Sequence, residues 1–299
     1  MESGSAMGKI KNLRLLVQLG FTALTNGYVT GFVQGKIFTG LSKAACLPGL
    51  NCYSCPGALG ACPIGSLQAV LNSREYHVSF YIVGFLVIFG ALMGRLICGW
   101  LCPFGLIEDL LHKIPFPKKL RKLPGDRWLR HLKVAILAGF VILLPMFLVD
   151  AFGQGQPWFC KLICPSGTAM AGLPLLAVNG ALRDIAGWLF AWKGLLLGII
   201  VLLSIIVYRP FCRYLCPLGA IYGWFNPIAL YRYQVDEEKC TRCGHCQRTC
   251  KMDIDIYRHP NTAQCIRCGD CLKACPHGAL QLKYRCGSRA QERPGQSAE

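Results

Sequence analysis

The stretch Cys240-Thr-Arg-Cys243-Gly-His-Cys246-Gln-Arg-Thr-Cys250 is followed, after a short spacer, by Cys265-Ile-Arg-Cys268-Gly-Asp-Cys271-Leu-Lys-Ala-Cys275-Pro276. Three closely spaced thiolates in a short loop converge on one four-iron, four-sulfide cluster, and the fourth cysteine of each run crosses to the other cluster. The spacing therefore assigns Cys240, Cys243, Cys246 and Cys275 to one cluster, and Cys265, Cys268, Cys271 and Cys250 to a second. Zinc sites also use C-x2-C pairs, but they take four ligands from one local unit and give no reason for a doubled triplet. Lys251 stands where the first run would carry a proline, without changing the ligand set.

The rest of the chain is unlike a soluble protein. Of 299 residues 53% are hydrophobic, and the mean hydropathy is +0.39, too apolar for a soluble chain carrying a small ferredoxin-type domain. The net charge of +17 does not point to nucleic acid, because the basic residues flank apolar stretches and follow a topological pattern. A disulfide scaffold is not expected from the 19 cysteines, since such scaffolds are small and eight cysteines already have a cluster assignment.

A span of roughly 30 Å of hydrocarbon needs about 20 apolar residues. Four stretches qualify, at about 13–34, 78–97, 131–149 and 185–208, and the first, carrying Gln18, Asn26 and Gln34, is expected as a retained anchor that packs on other helices or lines a polar cavity. Residues 98–133 hold Lys113, Lys118, Lys119, Arg121, Lys122, Arg127, Arg130 and Lys133, whereas residues 39–77 and 150–184 hold two basic residues each. By the positive-inside rule the basic loop is cytoplasmic. Both termini and the cluster-binding domain then lie inside, with 39–77 and 150–184 outside. The expected divisions are a cytoplasmic segment 1–12, a membrane domain 13–233, a ferredoxin domain 234–285 and a disordered tail 286–299, whose Cys286 has no motif.

Between the spans one signature recurs four times: Cys62-Pro-Ile-Gly65, Cys102-Pro-Phe-Gly105, Cys164-Pro-Ser-Gly167 and Cys216-Pro-Leu-Gly219. Three copies have a cysteine four residues upstream, Cys98, Cys160 and Cys212, and the first copy has Ala58 there. Arg95 and Arg209 each precede the first cysteine of an inner copy by three residues. The fold class is therefore an α-helical integral membrane protein, four helices as a tandem two-helix duplication with Cys-Pro loops, plus a small α+β domain for two 4Fe-4S clusters. Short apolar runs after each Cys-Pro (66–71, 104–112, 168–178 and 218–225) are expected as half-helices or interfacial turns.

If the duplication brings the inner loops face to face, Cys98, Cys102, Cys212 and Cys216 form a four-thiolate set suited to a further 4Fe-4S cluster. Arg95 and Arg209 would then act as cofactor-binding cations offsetting its charge, the alternative being that they snorkel to the interface. On the outer side stand Cys46, Cys52, Cys55, Cys62, Cys160 and Cys164. The expected ligands of an outer cluster are Cys55, Cys62, Cys160 and Cys164, with Cys52 competing with Cys55; the alternative is disulfide pairing of Cys46 with Cys52, or Cys160 with Cys164.

Other titratable residues carry less. Glu108 and Asp109 follow the inner Cys102-Pro loop, where a carboxylate can take protons from a quinol, but solvated charges at a helix end are commoner. His77, His112 and His131 show no placement that argues for haem. Lys118, Lys119, Arg121 and Lys122 suit lipid head groups but need no more than the positive-inside rule. Arg242, Arg248, Arg258 and Arg267 are placed to steer an acidic donor protein. No catalytic residue and no glycine-rich nucleotide fingerprint stands out.

Paired C-x3-C-P loops on the inner side of four helices, followed by a double ferredoxin, resemble the NapH and NosR group of membrane iron-sulfur proteins over nearly the whole chain. The resemblance implies an electron-transfer subunit, a component of a quinol dehydrogenase, working between a cytoplasmic donor or the quinol pool and partner redox proteins in a prokaryotic inner membrane. Only Cys98, Cys102, Cys212, Cys216 and the eight ferredoxin cysteines carry over. The flavin-binding domain of the NosR type is not among these residues, and the cysteine-rich segments 46–62 and 160–164 exceed the simplest NapH pattern. Two other classes are open: a reductase or maturation factor for a soft metal such as copper, whose Cu(I) form thiolates select, and an iron-sulfur redox sensor.

Overall fold

A computed structural model describes residues 3–71, 80–148, 155–184 and 187–284, the side chains of 3–12 and 181 excepted. His77, Cys286, the C-terminal tail and the first residues of the second expected span lie outside the described residues.

Helix starts are dictated by the Cys-Pro signature. Helices α3 (Pro63–Leu71), α6 (Pro103–Lys113), α9 (Pro165–Val178) and α13 (Pro217–Phe225) all begin on the proline, whose fixed φ suits the first helical position and whose missing N–H would be unpaired there anyway. In the last three the preceding cysteine is extended, with ψ of 118°, 113° and 114°, and its sulfur sits where an N-cap oxygen would. The Gly105 N–H donates to Cys102 Sγ at 3.4 Å, and the N–H groups of Gly65, Gly167 and Gly219 lie near Cys62, Cys164 and Cys216, though Cys164 and Cys216 accept no such cap bond. The turn before each cysteine repeats too. Leu101 and Cys102 both donate to Ile97 O, Ile163 and Cys164 to Phe159 O, and Leu215 and Cys216 to Phe211 O. Short helices α5 (Leu96–Trp100), α8 (Trp158–Leu162) and α12 (Pro210–Tyr214) carry the upstream cysteines.

Two described helices are long and apolar enough to cross a membrane, α7 (Asp126–Phe147, with a π-helical turn at Leu137–Leu143) and α11 (Trp188–Ile206). The first two expected spans are shorter. In α1 (Ser3–Thr25) the Thr25 hydroxyl donates to Phe21 O and the Asn26 amide to Thr22 O, side-chain bonds that compete with the helix and end it before the short α2 (Val29–Gln34). The described part of the second is α4 (Phe80–Met93), about 21 Å long by its rise, stopped by Gly94 at φ +52°. The apolar side chains of these helices face outward: Phe80 is 85% exposed, Leu195 60% and Leu202 63%. A further short helix, α10 (Gly180–Asp184), precedes α11.

Residues 46–62, expected on the outer side, are largely packed into the protein's interior. Cys46, Leu50, Asn51, Cys55, Ala58 and Cys62 are buried, and their backbone is satisfied by Ala61 N–H to Ala45 O, Leu59 N–H to Thr25 O and Tyr28 N–H to Gly57 O.

The inner halves are locked by an exchange of arginines. Arg95 Nη2 donates to Cys212 O at 2.9 Å, and Arg209 Nη1 donates to Cys98 O, so each cation leaves its own repeat and holds the first cysteine of the other. Both are fully buried, which rules out snorkelling. A Cβ at Gly105 would lie 3.2 Å from Arg209 Nη1, and one at Gly219 3.1 Å from Arg95 Nη2, so each Cys-Pro-x-Gly glycine makes room for the opposite arginine. Arg209 itself adopts φ +50°, a conformation costly for a side chain with a Cβ, held by its bonds to Asp109 and Cys98.

The ferredoxin part is a two-stranded antiparallel sheet, β1 (Tyr231–Val235) with β2 (Leu280–Tyr284), Tyr231 opposite Tyr284, and two short helices, α14 (His245–Thr249) and α15 (Asp270–Ala274). It is clamped onto the membrane module. Arg95 Nη1 donates to Ala263 O (2.8 Å), Trp100 Nε1 to Arg267 O (3.0 Å), Asn226 Nδ2 to Cys265 O (2.7 Å), and Arg267 to Met93 O (2.8 Å) and Asn226 O (2.7 Å). Gly99 lies directly under Ile266, whose carbonyl oxygen occupies the space a Cβ there would need. Gly99→Val is therefore expected to lift the ferredoxin part, read as faster proteolysis between residues 226 and 237 with iron content unchanged. Arg209→Gln is expected to cost about 3–5 kcal/mol, the usual cost of removing one partner from a buried ion pair, read as a lower thermal midpoint in detergent.

Candidate iron-sulfur sites

In the ferredoxin part both loops curl through the same left-handed conformations, Arg242 at φ +54° with Gly244 at +69° and Arg267 at +51° with Gly269 at +85°. This folds each Cys-x2-Cys-x2-Cys run inward. Cys240, Cys243, Cys246 and Cys275 line one cavity at the molecule's edge. Cys271 interacts electrostatically with Cys265, Cys268 and Cys250, and Cys265 with Cys250, which groups the second set. Cys243 is exposed and the His245 backbone N–H holds its thiol below the usual range, whereas Cys265 and Cys271 are buried against the membrane module.

The two inner Cys-Pro loops bring Cys98, Cys102, Cys212 and Cys216 together. Cys216 feels the charge of Cys98 and Cys102, and Cys212 that of Cys102 and Cys216. Burial pushes the Cys102 thiol up to about 11, with the Cys98 charge adding to the rise, so a thiolate persists here only with a metal or a cation beside it. Phe211 N–H donates to Glu108 Oε1 at 2.9 Å, which fixes the backbone beside Cys212. Glu108 is thus buried, its carboxyl pushed up to about 7 chiefly by that burial. Asp109 sits between Arg14 and Arg209; burial opposes its ionisation, but the arginines hold its carboxyl down at about 2. Neither acid is a solvated helix-end charge. Where Arg209 holds the inner loops, Arg14 of α1 ties the first helix to them through Gly99 O at 3.0 Å.

Of the outer cysteines, Cys62, Cys160 and Cys164 interact with one another and with Cys52. Cys55 interacts with Cys52 and Lys43 instead, and Cys46 Sγ faces Ser66 Oγ at 3.6 Å. No disulfide links any of the described cysteines. Tyr222, fully buried with its hydroxyl donating to Pro48 O, interacts electrostatically with Cys98, Cys62, Cys102 and Cys46. Tyr222 thus neighbours cysteines of both sets, and the segment 46–62 reaches the inner loop, with Gly49 packed on Cys102 Cα.

Several residues had other tasks than their surroundings in the sequence implied. Arg267 is a buried clamp rather than a steering charge, while Arg242 and Arg248 are exposed and Arg258 pairs with Asp255. Lys251, in the proline's place, pairs with Asp270 at 3.4 Å and lies 5.3 Å over the Tyr208 ring, binding the ferredoxin part to the membrane module. Lys122 pairs with Asp253 at 3.3 Å, His112 contacts Ser204 O, and His131 is exposed. Gln68, Lys43, Lys193 and Tyr222 carry no motif and were not expected at these sites. Among the described residues, no three His, Cys, Asp or Glu side chains converge as closely as the ligands of a single ion do.

Two sequence families, each described as a 4Fe-4S binding domain, match residues 76–124 together with 188–230, and residues 261–280. The first falls once on each inner loop. Among curated relatives, the ferredoxin-type protein NapH of Haemophilus influenzae is 27% identical over 64% of this chain and 60% of its own length. The methylamine utilization ferredoxin-type protein MauN of Methylorubrum extorquens is 28% identical over 64% of this chain and 55% of its own. The regulatory protein NosR of Pseudomonas aeruginosa is 28% identical over 54% of this chain and 21% of its own. The chain spans about half to two thirds of the length of the first relatives it matches. No solved structure matches. Duplicated C-x3-C-P loops, a doubled ferredoxin run, two matches to 4Fe-4S binding domains and these relatives agree, and the chain is similar to ferredoxin-type electron-transport proteins such as NapH, MauN and NosR.

Proposed function

We propose that this chain is a multi-pass membrane electron-transfer subunit of a prokaryotic inner membrane, with its ferredoxin part and both termini in the cytoplasm. Each bound 4Fe-4S cluster would supply a one-electron couple. The observation that carries the reading is Arg95, whose guanidinium holds Cys212 O with one nitrogen and Ala263 O with another, so the inner cysteine set and the loop leading into Cys265 share one buried cation. The order is then Cys240/Cys243/Cys246/Cys275 at the exposed edge, Cys250/Cys265/Cys268/Cys271 beneath it, and Cys98/Cys102/Cys212/Cys216 beneath that. The length and apolar character of α7 and α11, the exposed apolar side chains on α4 and α11, and Trp128 and Trp188 near the starts of α7 and α11 support the membrane setting, with α1 and α4 as the further spans of this reading.

Donor and acceptor would be other redox proteins or quinol. A cavity at the foot of α1 is lined by Arg14, Asp109, His112, Tyr208, Lys251 and Cys268, which puts polar and titratable groups next to a ligand of the second ferredoxin set and suits quinol as one partner. The copper reading is less well supported, because the thiolates spread more widely than a single ion's ligands.

The test is an anaerobic preparation of the full chain assayed for iron, acid-labile sulfide and copper. Cys102→Ala and Cys216→Ala are each expected to lose about four irons and to slow electron exchange between a quinol analogue or redox dye and the ferredoxin clusters at least tenfold. Iron unchanged by either variant, or stoichiometric copper on these cysteines, would sink this reading. Unchanged electron transfer with altered regulation of a target would favour a sensor.

A further inference from the structure

The first Cys-Pro loop lacks the upstream cysteine of the other three, having the buried Ala58 instead, and the structure brings Cys52 to where its sulfur serves. We propose that Cys52, Cys62, Cys160 and Cys164 ligate a cluster of their own, with Lys43 and Lys193 as its charge partners and Cys55 outside the ligand set. The proposal rests on the iron-sulfur reading above and adds a site that neither matched 4Fe-4S domain covers.

Three observations carry it. First, the site is built like the inner one. Gln68, six residues after Cys62, accepts from Phe159 N–H at 3.0 Å, as Glu108, six residues after Cys102, accepts from Phe211 N–H at 2.9 Å. Each of those phenylalanines immediately precedes the first cysteine of the facing loop. A cation also holds that cysteine's carbonyl: Lys193 donates to Cys160 O at 3.2 Å, where Arg95 and Arg209 hold Cys212 O and Cys98 O.

Second, the sulfur and amine positions converge on the Cys164-Pro-Ser-Gly167 turn. A Cβ at Gly167 would lie 3.6 Å from Cys52 Sγ and 3.6 Å from Lys193 Nζ. Gln68 Nε2 lies 3.3 Å from Cys160 Sγ, a donor aimed at the sulfur. Cys55, in contrast, interacts with none of Cys62, Cys160 and Cys164 among its main neighbours.

Third, Lys43 is only 6% exposed and its amine has no hydrogen-bond acceptor. Its neighbours are the Tyr53 ring face at 4.8 Å and the sulfurs of Cys52 and Cys55. Burial of an ammonium is costly without a counter-charge, and thiolates around a cluster supply one.

The experiment uses the full chain purified without oxygen. Wild type is expected to hold about sixteen irons with matching sulfide, against about twelve if only the ferredoxin and inner sets are filled. Cys52→Ala and Cys62→Ala should each lose about four irons and the same one paramagnetic signal, while Cys55→Ala keeps both. Lys43→Gln should keep the iron and shift the midpoint potential of that same signal downward, since a positive charge near the reducible group is removed. A wild-type count of about twelve, or loss on Cys55→Ala with retention on Cys52→Ala, overturns the proposal. Because wild type is itself counted, a misfolded variant cannot decide the outcome. Retention of iron in Cys102→Ala would defeat the inner-set reading separately.

Discussion

Arg95 and Arg209 are fully buried, and each spends its guanidinium on the carbonyl of the first cysteine in the opposite repeat. A buried guanidinium is tolerated when its donors and its charge are met: Arg209 is met by Cys98 O and Asp109, and Arg95 by Cys212 O, Ala263 O and Gln264 Oε1, with its Nε left unpaired. The exchange makes the two halves mutually dependent. Neither loop can hold its cysteines without an arginine from the other, and the glycine two residues after each proline is needed because the opposite guanidinium occupies the space of a side chain.

The same cation extends the structure in two directions. Arg95 continues to Ala263 O and fixes the loop that enters Cys265, so the ferredoxin part is placed by the membrane module instead of hanging on a linker. Asp109 carries the Arg209 charge on to Arg14, which ties the first helix to the loop bearing Cys98. Trp100, Asn226 and Arg267 complete the clamp with bonds to backbone carbonyls between 2.7 and 3.0 Å, and Lys251 adds its contact with the Tyr208 ring at 5.3 Å. A relay benefits from this rigidity because electron exchange depends on the separation of its sites, which a flexible tether would not fix.

Between inner and outer cysteines the chain uses a buried irregular segment, residues 46–62, and one aromatic side chain, Tyr222. A buried irregular segment is uncommon because each of its peptide groups needs a partner. Here the partners are Thr25 O, Gly57 O, Ala45 O and Ala61 O, supplied by the end of the first helix and by the segment's own parallel bridge of Cys46 with Ala61. The break of the first span at Asn26 follows from the same demand, since the chain must turn there to bring Tyr28 against Gly57.

The sequence by itself determined the local chemistry. Doubled cysteine triplets, the four Cys-Pro-x-Gly signatures and the arginine at a fixed offset are short-range patterns, and short-range geometry sets them: proline fixes a helix start, and the cysteine sulfur three residues before the glycine can face its N–H, as Cys102 does at Gly105. Span lengths were less legible, because hydropathy sees composition and not the side-chain bonds at Thr25 and Asn26 or the left-handed turn at Gly94 that end two helices early. Only tertiary structure decided which cysteines meet. Cys52 and Cys55 differ in the sequence by three positions and have the same chemistry, yet only Cys52 faces Gly167 across the fold. The recurring offset of the arginines favoured a role at the inner loops over snorkelling, but only their carbonyl partners, 111 and 117 residues away, fixed what they hold. Contacts between residues so distant in the chain depend on how helices pack, and packing leaves no trace in spacing.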